Sequence, residues 1–396
     1  MNKKPVAVIV SESASKNLGD RAIADALNDI LSPFYSVKFL PFSTVPSHRK
    51  DVRQFNSSNL HFLSRKFSKF IPPIIKARIR WYLLGERVRY REKCLEEIRG
   101  ADLVVVGGGQ LIKNNSSLFC DRLLVLDQIL KKLDVPYVFL GIGVDSRMNG
   151  LTWWLVDGIL KRSKFLFFRD SESLKRTLNR VPVNGKCFVT PDLAFSLKNS
   201  YLPVEGVRRS GSFAINVMSI NSMIAGKLDS ASIERDEVLE GYFRIYDFLS
   251  KDSVDFCLFT SGSDEDYQEC ISIQSFIYLK TGVKVAIFHP QSLDGLLRFL
   301  VSIERVVATR MHVGILSYIS KSNPVCINWD QKVEGVWSVV AQEDRIIDLR
   351  DFVDDEVGRI VKEKIRRVSP PSTALVVESS KMVRDKVLNQ IGTMSL

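Results

Sequence analysis

The chain has 396 residues, too many for one ordinary core and fitting two domains of common size. Hydrophobic residues make up 45% and charged residues 26%, which excludes a disordered chain. Lys and Arg number 56 against 45 Asp and Glu, and the net charge of +11 suits an anionic partner: a phosphate-bearing substrate, a nucleic acid or an acidic lipid surface.

The first half alternates strand-like and helix-like segments. VAVIVS from Val6 reads as a buried strand, and NLGDRAIADALNDIL from Asn17 has apolar residues at helical spacing. VKFLPF and ADLVVVGGG are further strands, the latter ending in glycines. SLFCDRLLVLDQILKKL, LTWWLVDGILKRS and SESLKRTLNR read as helices; VPYVFLGIG, KFLFFRD and CFVTPD read as the strands between and after them. The second half repeats the rhythm with FAINVM, DFCLFTS, KVAIFHP, RVVATR and PVCINWD as strands, and helices such as YQECISIQSFIYLK and LDGLLRFLVSI between them. Alternation of this kind predicts α/β domains with parallel sheets and right-handed crossovers. The polar, Pro- and Gly-containing stretch near 197–212 marks a boundary between domains at 1–205 and 206–396, with the last helix expected to pack back on the first domain.

The six cysteines (Cys94, Cys120, Cys187, Cys257, Cys270, Cys326) are scattered without a CxxC pair, which argues against zinc. Most sit in or beside apolar runs as small hydrophobes, and that favours a reducing compartment. The opening apolar run is only a strand's length, shorter than a secretory signal, and no run is long enough to span a bilayer. The expected location is the cytoplasm.

In parallel sheets ligands bind beyond the C-terminal strand ends. Unusual residues gather there. Asn17, Gly19 and Asp20 follow the first strand, where a helix start favours an anion, although Asp20 equally suits a helix-stabilising role. Gly107, Gly108 and Gly109, followed by Gln110, form a glycine run that fits close approach to a ligand. Gly141 and Gly143 carry a weaker signal of the same kind. Arg169 ends an apolar strand, where a guanidinium grips a carboxylate or phosphate through two bonds or pairs internally with Asp170, itself a candidate helix cap. Arg310 and His312 sit where RVVAT hands over to an apolar helix, a cation and a proton carrier beside a helix N-terminus. His289 ends another strand and reads more as a loop residue; Lys332, just beyond Asn328 and Trp329, offers a second cation or a solvated helix charge.

The segment from 47 to 99 stands apart. It contains RKFSKFIPPIIKARIRWYLLGERVRYREK, basic with bulky apolar and aromatic residues interleaved. It reads as a helical insertion packed on the first domain, with contact to an anionic membrane surface through about 61–93 as the rival reading. Such contact would put the protein at the inner face of the cell membrane. No RNA- or DNA-binding signature accompanies the charge, so nucleic acid is not expected as a partner.

Taken in order, NLGDRAIADAL, VVVGGGQLI, GIGV, FRDSESL, TPDLAF, TRMHVGILS and NWDQKVEGV resemble the polysaccharide pyruvyl transferase family over roughly residues 6–340. The resemblance implies two facing Rossmann-like domains in a glycosyltransferase-B-like arrangement. It implies transfer of pyruvate from phosphoenolpyruvate to two hydroxyls of a sugar in a cell-surface or exopolysaccharide precursor, as a cyclic ketal, with phosphate released. The family's R-x-H motif falls on Arg310 and His312, implying phosphoenolpyruvate binding and catalysis at the histidine. Its R-D-x-x-S motif falls on Arg169, Asp170 and Ser173, and its N-x-G-D motif on Asn17, Gly19 and Asp20. The loop SESASK before Asn17 departs from the Gly- and aromatic-rich stretch of many relatives, and the basic insertion at 47–99 has no clear family counterpart.

On this reading Arg169, Arg310 and Lys332 hold the substrate's carboxylate and phosphate, and His312 moves protons. Asp20 or Asp170 orients a hydroxyl, and neither a metal nor a cofactor is called for. The acceptor is a saccharide, lipid-linked, nucleotide-linked or polymeric. The rival activities are a glycosyltransferase with a nucleotide-sugar donor and a non-catalytic carbohydrate-binding subunit. A nicotinamide oxidoreductase is disfavoured because NLGD stands where GxGxxG belongs.

Overall fold

The computed structural model describes residues 4–43, 73–114, 118–183, 185–198, 209–226, 233–251 and 255–393. Two six-stranded, wholly parallel sheets carry the fold. The first comprises β1 (Val6–Ser11), β2 (Ser36–Pro41), β3 (Leu103–Ile112), β4 (Tyr137–Val144), β5 (Leu166–Phe168) and β6 (Cys187–Val189), in the order β2-β1-β3-β4-β5-β6. The second comprises β7 (Arg209–Asn216), β8 (Asp255–Phe259), β9 (Ala286–Phe288), β10 (Ile303–Ala308), β11 (Asn323–Asn328) and β12 (Ile346–Asp348), in the order β12-β11-β10-β7-β8-β9. In both sheets the strand order reverses beside the first strand, which opens a crevice at the carboxyl ends of the strands there. This is the two-domain Rossmann-like architecture that the alternation of elements predicts.

The first domain's helices are α1 (Leu18–Leu31), α2 (Pro73–Leu83), α3 (Glu86–Ile98), α4 (Phe119–Leu133), α5 (Gly150–Arg162) and α6 (Ser171–Leu178), with a 3₁₀ turn at Leu193–Ser196. The second half adds α7 (Ile220–Gly226), α8 (Arg235–Ser250), α9 (Asp264–Thr281), α10 (Leu293–Ser302), α11 (Met311–Ile319) and α12 (Gln331–Val339). It closes with α13 (Leu349–Val353), α14 (Val357–Arg367) and α15 (Thr373–Gly392). Strands such as β4 are buried along their whole length, as double coverage by helices requires.

The junction between the sheets is not an open cleft along its length. One apolar cluster runs through it, joining Leu27 of α1 and Phe195 of the 3₁₀ turn to Leu300, Leu316 and Trp337 of the second half. The last helix, α15, adds Val383 and Val387 to the same cluster, and its Arg384 and Lys386 donate to the carbonyls of Ser196 and Val189. Polar ties complete the junction: the Leu18 amide donates to the Ser261 carbonyl at 2.9 Å, and Lys16 pairs with Asp264. The stretch chosen as the domain boundary lies largely outside the described residues, as does 44–72 of the basic segment. The rest of that segment forms α2 and α3, packed on the first sheet through Trp81, Tyr90, Cys94 and Ile98.

Candidate functional site

Three polar side chains from three separate segments converge at the junction. Arg169, at the end of β5, is 2% exposed, and Asp192, just before the 3₁₀ turn, is fully buried. The Arg169 Nη1 lies 3.8 Å from Asp192 Oδ2, and His312 Nε2, from the first turn of α11, lies 3.6 Å from the same oxygen. These separations exceed a hydrogen bond. Arg169 Nε, Asp192 Oδ2 and His312 Nε2 are each buried without a hydrogen-bond partner among the described residues. Buried polar atoms are rarely left so, and three in one place mark a spot built to receive a polar ligand.

Local structure fixes each member. Asp192 Oδ1 accepts from the Ala194 amide at 3.0 Å, so the 3₁₀ turn holds the carboxylate and leaves Oδ2 for the site. Burial by itself would push the Asp192 carboxyl up; His312 and Arg169 outweigh it and hold the group below its ordinary range. It is therefore an anion at neutral pH, facing the imidazole and the guanidinium. Two glycines make room for the other members. A Cβ on Gly143 would come within 2.7 Å of Arg169 Nε, and one on Gly19 would come within 2.5 Å of His312 Cβ. Asn17 caps α1 by accepting from the Gly19 amide at 3.1 Å, so the N-x-G-D segment seats the histidine of the opposite domain. Asn216, at the end of β7, accepts from the Arg310 amide at 2.9 Å and fixes the turn into α11.

The other residues singled out in the sequence have definite contacts in the structure. Gly108, with φ +78°, is pressed on α1, where an added Cβ would sit 1.9 Å from Ile23. Gly109 has the same φ, but an added Cβ there would meet nothing within 4 Å. The strand also continues through the glycines to Ile112, because their left-handed geometry makes a bulge and not a terminus. Asp170 is a helix cap: its two oxygens accept from the Ser173 amide at 2.6 Å and hydroxyl at 2.9 Å. Arg310 is not a free cation. Its Nε and Nη2 grip both oxygens of the fully buried Asp266 at 3.0 and 2.6 Å, and Asp266 also accepts from the Ser219 amide. Asp20 holds the loop before α1 by accepting from the Ser15 hydroxyl at 2.9 Å. His289 bonds Thr260 through Nδ1 at 2.6 Å and stacks on Tyr267, as a loop residue would.

Beside Arg169 lies a polar recess of about 560 Å³, counted to its open mouth. Gln110, Arg147, Asp170 and Arg176 line it from the first domain, and Gly226 and Lys332 from the second. Lys332 lies over the Trp329 ring at 4.0 Å and pairs with Asp330 at 3.2 Å. Burial lowers its ammonium to about 8, helped by Arg169 and Arg310 and opposed by Asp330. Sequence reasoning missed Asp192, Lys113 and Glu12. Lys113 is lowered by burial, against the pull of Asp20, Glu12 and Asp145, while Glu12 is raised by burial despite its hydrogen bond to Ser43. Asp192 had a usable signal, an acid immediately beyond the strand-like CFVT. Lys113 follows an apolar strand with nothing in the sequence to set it apart.

No curated protein matches the chain. Among solved structures it resembles UDP-N-acetylglucosamine 2-epimerase from Rickettsia bellii, with a TM-score of 0.55 and 10% identity over 99% of this chain and 97% of that one. The enzyme of the same name from Methanocaldococcus jannaschii gives 0.52 and 14% identity over 98% and 100%. At such identities the likeness is one of fold. A family model described as polysaccharide pyruvyl transferase matches residues 17–331, from the cap of α1 to the start of α12. That span holds Arg169, Asp192 and His312 together, and the chain belongs to the polysaccharide pyruvyl transferase family.

Proposed function

We propose that the protein transfers the pyruvyl group of phosphoenolpyruvate to a hydroxyl pair of a saccharide in a cell-surface or exopolysaccharide precursor, forming a pyruvate ketal and releasing phosphate. The observation that carries this reading is the convergence of Arg169, Asp192 and His312 with unsatisfied polar atoms at the junction. Phosphoenolpyruvate carries a carboxylate and a phosphate on one small frame, and the recess offers Arg169, Lys332, Arg147 and Arg176 to hold them.

In the proposed reaction His312, faced by the Asp192 carboxylate, delivers a proton to the methylene carbon. Positive charge then develops at the central carbon, and one sugar hydroxyl attacks it. A carboxylate on the first-domain side, Asp20 or Glu12, takes the hydroxyl proton and passes it to the departing phosphate. The C–O bond to phosphate breaks, phosphate leaves, and the second hydroxyl closes the ring as its proton returns to the imidazole. Asn17 and Gly19 place His312, and Gln110 lines the recess beside Arg169. Arg310 acts by fixing the start of α11 through Asp266 and not by direct charge on phosphate.

The test is His312→Ala. Saccharide-dependent phosphate release should be lost while phosphoenolpyruvate still binds by calorimetry. Release near the wild-type rate would remove the assignment. Mass gain on lipid-linked and free saccharides incubated with phosphoenolpyruvate identifies the acceptor.

A further inference from the structure

We infer that α2, with the start of α3, is a docking surface for an anionic lipid bilayer, an inference that rests on the reading of a saccharide acceptor carried on lipid. The helix has two unlike faces. Ala77 and Trp81 are buried on one, with Trp81 packed against Tyr90. Ile75, Ile79, Tyr82 and Leu83 fall at helical spacing on the opposite face and are exposed, Leu83 by 75%. Leu84 and Val88, 63% and 56% exposed, extend the apolar patch into the α2–α3 turn. A soluble surface rarely collects so many large apolar side chains in one place.

The charge around the patch is one-sided. Lys76 and Arg80 flank the stripe on one side of the helix and Arg78 on the other, while Arg87, Arg89 and Arg91 follow on α3. Among residues 75–91 Glu86 is the single acid. Arg80 pairs with Glu86 at 3.7 Å and Arg78 with Asp121 at 3.9 Å, so the excess positive charge of the face comes from Lys76, Arg87, Arg89 and Arg91. An apolar stripe between cations fits the boundary of headgroups and acyl chains, where the stripe enters and the cations meet lipid phosphates. The preceding residues 44–72 carry six Lys and Arg against one Asp, so that segment does not complement the charge of this face. Placement agrees with the chemistry. Arg122 lies over the Trp81 and Tyr90 rings and donates to the Phe42 carbonyl, next to Ser43, whose hydroxyl donates to Glu12, so the buried face of α2 is tied to the Glu12 end of the site. A bilayer on the outer face of α2 would hold a lipid-linked saccharide close to that side.

The experiment is sedimentation of the full chain with phosphatidylglycerol-rich vesicles and with pure phosphatidylcholine vesicles. The wild type should bind the anionic vesicles roughly tenfold or more tightly than the neutral ones, with binding weakened by salt. Ile79→Ser with Leu83→Ser, and separately Lys76→Glu with Arg89→Glu, should each lower that binding about tenfold. Both pairs should leave phosphate release with a free saccharide unchanged. Absence of vesicle binding by the wild type, or wild-type binding by both pairs, overturns the inference. Loss of a dimer in the serine pair, with no vesicle binding by the wild type, overturns it in favour of a second copy of the chain. Vesicle binding without any phosphate release leaves the surface standing and removes the pyruvyl-transfer reading instead.

Discussion

Arg169 and Arg310 each stand just beyond a strand that feeds a helix, one in each domain. Their surroundings are opposite. Arg310 is engaged in two short bonds to one carboxylate, whereas Arg169 has carboxylates at 3.7 and 3.8 Å and a buried Nε that bonds none of the described residues. A guanidinium with its fork already filled serves the fold; one held near charge but left short of hydrogen bonds is ready for a ligand. The topological position gives both residues access to the junction, and the neighbouring acids decide which of them has capacity left.

The sharpest way to break this comparison is to remove each guanidinium in turn. Arg169→Met should lower kcat/KM for phosphoenolpyruvate by about a thousandfold and cost less stability than loss of Arg310, because Asp192 keeps His312 beside it. Arg310→Met should do the reverse. It leaves Asp266 buried with its charge uncompensated, a change that costs about 3 kcal/mol, visible as a lower denaturation midpoint. Equal losses of stability in the two variants, measured by urea titration, would show that the arginines are not divided in this way.

The fold was legible because buried parallel strands and helical spacing are written locally, as in VAVIVS followed by NLGDRAIADALNDIL. The site was legible only by position. Arg169 and His312 were found because charged residues at strand ends stand out against apolar surroundings. What each one touches was not legible, since the deciding partners are far away in sequence: Asp266 for Arg310, Asp192 for His312, Ile23 for Gly108. Gly108 and Gly109 show the limit best. They are adjacent, identical in residue and in φ, and differ in whether a side chain from α1 occupies the space above them.

Gly19 tests whether the histidine belongs to the same working unit as Arg169. Gly19→Ala brings a methyl group to 2.5 Å from His312 Cβ and 2.7 Å from Nδ1, so the imidazole must move. The substitution adds helix propensity at the first turn of α1, which limits any loss of stability. Displacement of a proton donor by about 1 Å costs on the order of a hundredfold in kcat. Gly143→Ala, which crowds the Arg169 guanidinium instead, should act mainly on KM for phosphoenolpyruvate. A kcat effect from Gly143→Ala equal to that of Gly19→Ala, seen in steady-state kinetics, would mean that the two groups are not separable.

The smallest expected effect comes from Lys332, and it sharpens the comparison from the side of charge. Burial sets its ammonium near 8, far below the usual lysine range. Below that pH it is a cation available to phosphoenolpyruvate beside Arg169; above it the amine is neutral and the anion loses one partner. KM for phosphoenolpyruvate should therefore rise a few-fold from pH 7 to pH 9, since an exposed cation is worth about 1 kcal/mol or less and a buried one somewhat more. A bound anion favours the charged amine and raises its pKa, so binding at pH 8 to 9 must take up protons. Calorimetry in buffers of different ionisation enthalpy reads that uptake directly. Lys332→Met should abolish the proton uptake and flatten the rise in KM. Uptake that persists in the variant would transfer the titration to another group, with Lys113, also lowered by burial and near Asp20 and Glu12, the next to replace.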